Sequence, residues 1–181
     1  MVRMTSAYAN KVLRKLNEDK EFWRSKEAEG CTYVAALDEE PVIPEYDYSQ
    51  VADTIDQIDR KIVKIKHAIN NANLTSQIQV GDEVMTVDQI LIRMAQLNRR
   101  KSFLDSLRKQ SPKVRINAGV YSARKAAPEY RYINYDLEVV KQDYERVDEE
   151  LGKMQMALDK HNQTFEFDVD IEGLNRQWHQ I

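Results

Sequence analysis

The residues best suited to binding a ligand are basic and aromatic, and they lie close together after Pro112. They are Lys113, Arg115, Asn117, Tyr121, Arg124, Tyr130, Arg131 and Tyr132. Arginine guanidinium groups match pairs of phosphate oxygens, and aromatic rings stack on bases. The mixture therefore predicts a site for a nucleotide or another small phosphorylated ligand. Each tyrosine taken singly is better explained as a core or interface residue.

Residue types used in catalysis are present but do not form a catalytic pattern. The sequence has no phosphate-binding P-loop, dinucleotide fingerprint, zinc-protease motif or nucleophile elbow. Its histidines, His67, His161 and His179, are far apart, so a metal site built from them is the weaker interpretation. The lone cysteine, Cys31, is expected to be a small buried apolar group. We therefore predict no enzymatic activity, no metal and no cofactor.

Charge is distributed very unevenly along the chain, although the net charge is only −3. Residues 93–131 contain eleven basic residues and two acidic ones, a net of +9, whereas residues 132–172 contain twelve acidic and four basic residues, a net of −8. The simplest explanation is that the basic segment lies against the acidic one, in the same or a neighbouring subunit. Duplex nucleic acid is not an expected partner, because the acidic segment repels phosphate and no recognition-helix motif is present.

Two long helical seams organise the chain, with apolar residues three and four positions apart. The first seam consists of Ile55, Ile58, Ile62, Ile65 and Ile69. The last and longest consists of Leu137, Val140, Tyr144, Val147, Leu151, Met154 and Leu158. The β-branched residues of the first seam disfavour a simple parallel dimer. Asn134 or Asp136 is expected to cap the start of the last helix.

Shorter signals fill the remaining chain. A less regular helix is predicted over about residues 6–27, and another begins at Thr86, where Gln89 completes a capping box. Residues 77–85 read as a tight hairpin, because Gly81 and Asp82 separate two short apolar runs. Residues 165–171 alternate apolar and acidic side chains, as a half-buried strand does. Residues 31–37 are a weaker strand candidate.

These features predict a mainly α fold, an elongated antiparallel helical bundle with coiled-coil-like packing and small β-hairpin or strand elements. We expect a single domain over residues 1–181: an N-terminal helix and extended segment to residue 48, a bundle over 49–163 with a basic loop at 111–134, and a C-terminal strand and tail from 164. The sequence shows no secretory signal and no apolar run of roughly 20 residues, so a cytoplasmic protein that does not bind membranes is expected.

Five phrases and two helix-ending motifs carry a resemblance. The phrases are Pro44-Glu45-Tyr46-Asp47-Tyr48, Ile65-Lys66-His67-Ala68-Ile69-Asn70, Met94-Ala95-Gln96-Leu97, Tyr132-Ile133-Asn134-Tyr135-Asp136-Leu137 and Leu158-Asp159-Lys160-His161-Asn162-Gln163-Thr164. The helix-ending motifs are Ile69-Asn70-Asn71-Ala72-Asn73 and Gln155 with Asn162. Over roughly residues 44–171 the chain resembles uncharacterised long-helix proteins of Gram-positive bacteria and their phages and, more distantly, the family called septicolysin. The resemblance implies a long-helix fold, and it implies no activity.

Two functional predictions follow from the seams and the basic segment. The first is a non-catalytic homo-oligomeric interaction or scaffold protein, larger than a dimer, because long amphipathic helices bury their apolar stripes best against further copies. The alternative is a protein that sequesters a small anionic ligand, such as a signalling nucleotide, as phage anti-defence proteins do. Its site would be the basic, tyrosine-containing loop at subunit interfaces.

Overall fold

Four helices and six short strands make up the part of the chain that the computed structural model describes, residues 1–116 and 128–171. The helices are α1 (Ser6–Gly30), α2 (Tyr48–Thr75), α3 (Val87–Arg108) and α4 (Leu137–Thr164). The strands are β1 (Val2–Thr5), β2 (Gln77–Val80), β3 (Glu83–Thr86), β4 (Lys113–Arg115), β5 (Tyr130–Tyr132) and β6 (Glu166–Val169). The predicted mainly helical fold with small strand elements is confirmed.

Side-chain caps fix where the helices begin. At the start of α3 the Thr86 hydroxyl accepts the Gln89 N–H at 3.2 Å, and Gln89 Oε1 accepts the Thr86 N–H at 2.9 Å. This is the capping box that the sequence predicts. Before α4, the Asp136 carboxylate accepts the Glu138 N–H at 2.8 Å, so Asp136 rather than Asn134 is the capping residue.

The hairpin of β2 and β3 turns at Gly81, as predicted. Gly81 has φ of +59°, a left-handed conformation that most side chains disfavour. By contrast, residues 31–37 form no strand, so that candidate was wrong. No neighbouring strand pairs with this segment in the described chain, and its backbone therefore lacks the ladder that a strand needs.

The described residues form two compact units. The first contains residues 1–77 and the described residues from Asp159 onward. In it α1 packs on α2, and β1 pairs antiparallel with β6, with Met4 opposite Phe167. The hydrophobic cluster here includes Ile65 and Val169, both almost fully buried. The alternating residues predicted as a strand therefore form β6, and their partner β1 was not predicted.

The second unit, residues 78–158, is organised around α3 and most of α4. Its hydrophobic cluster consists of Ile78, Val87, Ile90, Leu97, Leu104, Val140, Val147, Leu151, Met154 and Leu158. Every residue of this cluster is buried within the one chain. The organisation of the chain as a single domain therefore remains a prediction.

The predicted seams are core residues of the single chain. In α2, Ile58, Ile62 and Ile65 are buried, while Ile55 and Ile69 are half-buried. In α4 the seam is buried at five of its seven positions, and Leu137 and Tyr144 are half-buried. The apolar stripes are thus largely covered without a partner copy, so any contact between copies must use other surfaces.

Candidate anion-binding site

The basic segment forms a β arm, defined here as residues 110–116 and 128–133. Strands β4 and β5 pair antiparallel, with Lys113 opposite Tyr132 and Arg115 opposite Tyr130. The Ile116 N–H donates to the Glu129 carbonyl at 2.9 Å and extends this ladder by one residue. Every residue of both strands is exposed, so the arm presents its side chains to solvent.

One face of the arm combines cations with aromatic rings. Residues directly opposite in an antiparallel pair project to the same side, which places Lys113, Arg115, Tyr130 and Tyr132 together. The Lys113 Nζ lies 4.1 Å from the Tyr130 ring centroid and 5.4 Å from that of Tyr132. The two rings are 6.5 Å apart and inclined at 51°. They are not parallel, so they offer two separate stacking surfaces and do not clamp one base between them.

A shallow cavity of about 330 Å³ lies at the base of the arm. It is lined by Gln110, Ser111, Val114, Arg131, Tyr132 and Ile133. Just beyond it, the Tyr135 hydroxyl donates to the Leu107 carbonyl at 2.8 Å and ties the returning chain to the end of α3. The Arg131 guanidinium is the charged group of this cavity, so an anion would be its natural occupant.

Three basic residues of α3 make ion pairs with acidic residues of α4, as the charge distribution predicts. Arg93 binds Glu150 at 2.9 Å and Arg100 binds Asp143 at 3.0 Å. Lys101 likewise binds Asp148. Hydrogen bonds from Arg146 and Arg100 lower the pKa of the Asp143 carboxyl, so it remains charged in these pairs.

The arm is not neutralised in this way. In residues 1–116 and 128–171, no carboxylate makes an ion pair with Lys113, Arg115 or Arg131. The predicted pairing of basic with acidic residues therefore accounts for three cations of α3, whereas the cations of the arm have no ion-pair partner among the described residues. Such a surface attracts anions.

Five of the eight predicted ligand-binding residues come together on the arm. They are Lys113, Arg115, Tyr130, Arg131 and Tyr132. The other three, Asn117, Tyr121 and Arg124, lie outside the described residues. The loose alternation of Val114 and Ile116 and the extended run over residues 130–133 are the sequence signals of the two strands. The pairing of these strands, which divides the basic residues between two faces, was not predicted.

Two residues with reactive side chains, Cys31 and His161, lie in the described part of the chain. Cys31 is exposed, so the expectation of a buried thiol was wrong; it directly follows α1, at the start of a stretch of exposed residues. His161 stacks on Phe165 with ring centroids 4.6 Å apart, and its partial burial lowers its pKa.

Within the described ranges, no three His, Cys, Asp or Glu side chains are grouped as metal ligands, and no helix has the length and apolar character to cross a bilayer.

An exposed apolar segment was missed by the sequence reasoning. Residues 31–43, called the acidic segment below, are all exposed and include Val34 at 98% and Val42 at 89% exposure. They also carry Asp38, Glu39 and Glu40 and no basic residue. The signal in the sequence was a set of apolar residues too irregularly spaced for a helix, with Pro41 among them and Pro44 directly after them.

Comparisons with known proteins concern the fold. No protein-family model matches the sequence, and no curated protein matches it. A solved structure, described as a functionally unknown conserved protein from Corynebacterium diphtheriae, is similar with a TM-score of 0.61 and 12% sequence identity. The match covers 92% of this chain and 100% of that one. The similarity shows that a second, very different sequence has a similar fold, and it indicates nothing about activity.

Proposed function

We propose that this protein is a non-catalytic, homo-oligomeric interaction protein in which the acidic segment of one copy binds the arm of another. The observation that carries the proposal is the exposure of the whole acidic segment. Tyr33, Val34, Leu37, Val42 and Ile43 are five large apolar side chains within thirteen residues, all in contact with solvent. Several large apolar side chains exposed within so short a segment are typical of an interaction site.

Charge and apolar character of the two surfaces are complementary. The acidic segment has three carboxylates and no cation, whereas the described arm has three cations and one carboxylate, Glu129. The arm also exposes apolar side chains, among them Val114 and Tyr132. Opposite charges steer association and fix its register, while apolar burial supplies affinity. A second copy of the chain satisfies both requirements at once.

The proposed contact joins two different surfaces, so it is head-to-tail. A head-to-tail contact that closes forms a ring and is not limited to two copies, which agrees with the predicted assembly larger than a dimer. In this assembly the seams of α2 and α4 stabilise each subunit from within. We also propose that the subunit is an elongated bundle with coiled-coil-like packing. A cytoplasmic location is proposed with it, because an exposed free thiol stays reduced there.

A charge swap tests the contact. In one variant Asp38, Glu39 and Glu40 become lysine, and in the other Lys113, Arg115 and Arg131 become glutamate. Each variant alone should dissociate the assembly, because like charges then face each other, and mixing the two variants should restore it. Molar mass is measured by light scattering across protein concentration, at low and at high salt, since screening weakens such contacts.

A matched control reverses three exposed acids that belong to neither the acidic segment nor the arm. Glu18, Asp53 and Glu145 are exposed residues of α1, α2 and α4, and their change to lysine alters net charge equally. This control should keep the parent molar mass. A parent protein that is monomeric at every concentration, or a mixture that fails to reassociate, would refute the proposed contact.

A second candidate function is sequestration of a small anionic ligand such as a nucleotide. The free positive charge of the arm, beside Tyr130 and Tyr132, favours it. A ligand present at 100 times its dissociation constant should stabilise the protein by about 2.7 kcal/mol, which a thermal-shift screen of nucleotides and cyclic dinucleotides detects. The shift should disappear in Arg115→Ala or Arg131→Ala. A screen in which no nucleotide raises the melting temperature excludes this function.

A further inference from the structure

A second concave surface lies in the first unit, between the end of α1 and the start of α2. This cleft has a volume of about 710 Å³, within the range of ligand sites. Its most informative lining residues are Trp23, Lys26, Glu29, Glu45, Tyr46 and Asp47. None of them belongs to the arm or to the acidic segment.

One close packing contact and two hydrogen bonds position the residues around the cleft. A Cβ atom at Gly30 would lie 2.8 Å from the Tyr46 Cβ, so only glycine lets Tyr46 approach the end of α1 this closely. The Asp47 carboxylate caps α2 by accepting the Gln50 N–H at 3.1 Å. The Cys31 N–H donates to the Glu27 carbonyl at 3.0 Å and closes the last turn of α1. These contacts position Gly30, Tyr46 and Asp47, three of the residues that line the cleft.

The electrostatic character of the cleft is negative. Three carboxylates, those of Glu29, Glu45 and Asp47, line it beside one ammonium group, that of Lys26. The last turn of α1 has no basic residue to offset the negative end of the helix dipole. Burial, with a smaller effect of Glu27, raises the pKa of Tyr46, so its phenol stays neutral and remains a hydrogen-bond donor.

Trp23, which lines the cleft, already contacts a cation, as does its neighbour Phe22 outside the cleft. The Lys26 Nζ lies 5.2 Å from the Trp23 ring centroid and 5.3 Å from that of Phe22, distances typical of cation–π contacts. Tryptophan is the aromatic side chain that attracts cations most strongly. The contact with Lys26 therefore shows that the Trp23 ring accepts an ammonium group. Because Lys26 is itself positively charged, it competes with any cation that enters the cleft.

We infer that the cleft between α1 and α2 binds a small organic cation with ammonium or guanidinium groups, its charge held by Glu29 and Glu45 and its carbon chain against Trp23 and Tyr46. An anion would face three carboxylates, and an uncharged apolar ligand would leave them unpaired and desolvated. The inference is independent of the proposed oligomer, because it uses different residues.

Tryptophan fluorescence tests the inference directly. Trp23 and Trp178 are the two tryptophans of the sequence, so Trp178→Phe leaves Trp23 as the sole reporter. Spermidine is the cationic probe, and inorganic phosphate is the anionic one. We expect a saturable change with spermidine, none with phosphate, and weaker binding of spermidine in Glu29→Gln and in Glu45→Gln.

Lys26→Met decides the sign of the ligand charge. Removing a like charge about 5 Å from a bound cation should tighten spermidine binding about fourfold, from the Coulomb energy of such a pair in water. If the cleft prefers anions, phosphate gives the saturable change instead, and Lys26→Met weakens phosphate binding. Gly30→Ala should also weaken it by displacing Tyr46, and circular dichroism checks that each variant folds.

The matched control is Glu18→Gln, which removes an exposed carboxylate of α1 that does not line the cleft. It should bind spermidine as the parent does. The inference is overturned if spermidine gives no saturable change, if Lys26→Met weakens binding, or if Glu18→Gln weakens it as much as Glu29→Gln. Both variants of the charge swap, the one in the acidic segment and the one in the arm, should keep the spermidine response, which separates failure of this site from failure of the oligomer.

Discussion

Leu104→Ala should show that the α3–α4 core is complete within one chain. Leu104 is only 1% exposed and belongs to the hydrophobic cluster of the second unit. Replacing a fully buried leucine with alanine removes its transfer free energy and leaves a cavity, at a cost of about 2.7–5.0 kcal/mol. For a chain of this size, a loss of about 3 kcal/mol lowers the melting temperature by about 6–12 °C.

The same helix provides the control. Leu91 also lies in α3 but is 44% exposed, so Leu91→Ala makes the same change in helix propensity without a comparable cavity. Its effect should stay within about 0.5 kcal/mol. The difference between the two variants therefore isolates burial at Leu104.

Urea unfolding followed by far-UV circular dichroism measures both variants at widely separated protein concentrations. If the core is intramolecular, the loss of stability from Leu104→Ala is the same at each concentration. A loss equal to that of Leu91→Ala would refute the burial of Leu104. A loss that appears only in dilute protein would show instead that this face of α3 is covered by another subunit.

Two further predictions concern charged groups. A double-mutant cycle on Arg93 and Glu150 should give a coupling of about 0.2–1 kcal/mol, because the pair is partly exposed, and it should shrink in high salt. Burial lowers the pKa of His161 from its ordinary 6.5, so the unfolded chain binds the proton first as the pH falls. The stability due to neutral His161 is thus complete above pH 6.5 and is lost as the pH falls through the folded-state pKa; urea unfolding against pH should show this slope, and His161→Gln should remove it.

Local features of the fold were predictable because their causes lie close together in the sequence. The capping box of Thr86 and Gln89 spans one helical turn, and the hairpin at Gly81 depends on adjacent residues. The seams follow from helical periodicity alone, so core positions such as Ile65 and Val147 were predicted and are buried.

Features that depend on distant residues were not predictable in the same way. Pairing of β1 with β6 joins Val2 to Val169, and nothing in the local sequence of either strand specifies the other. The cleft at Trp23 and Tyr46 depends on the close approach at Gly30, which periodicity does not reveal. In the candidate site, the residue types of the arm were visible in the sequence. That Arg131 has no ion-pair partner among the described residues depends on where distant carboxylates lie, which the local sequence does not specify.

The pairing of β1 with β6 has a consequence for how the chain folds during its synthesis. Residues 78–158 are continuous, so the second unit has all its residues once Leu158 leaves the ribosome. The first unit must wait, because β1 is translated first and its partner β6 follows more than a hundred residues later. Until then Met4 and its neighbours lack their cover, and the earliest part of the chain is the last to be completed.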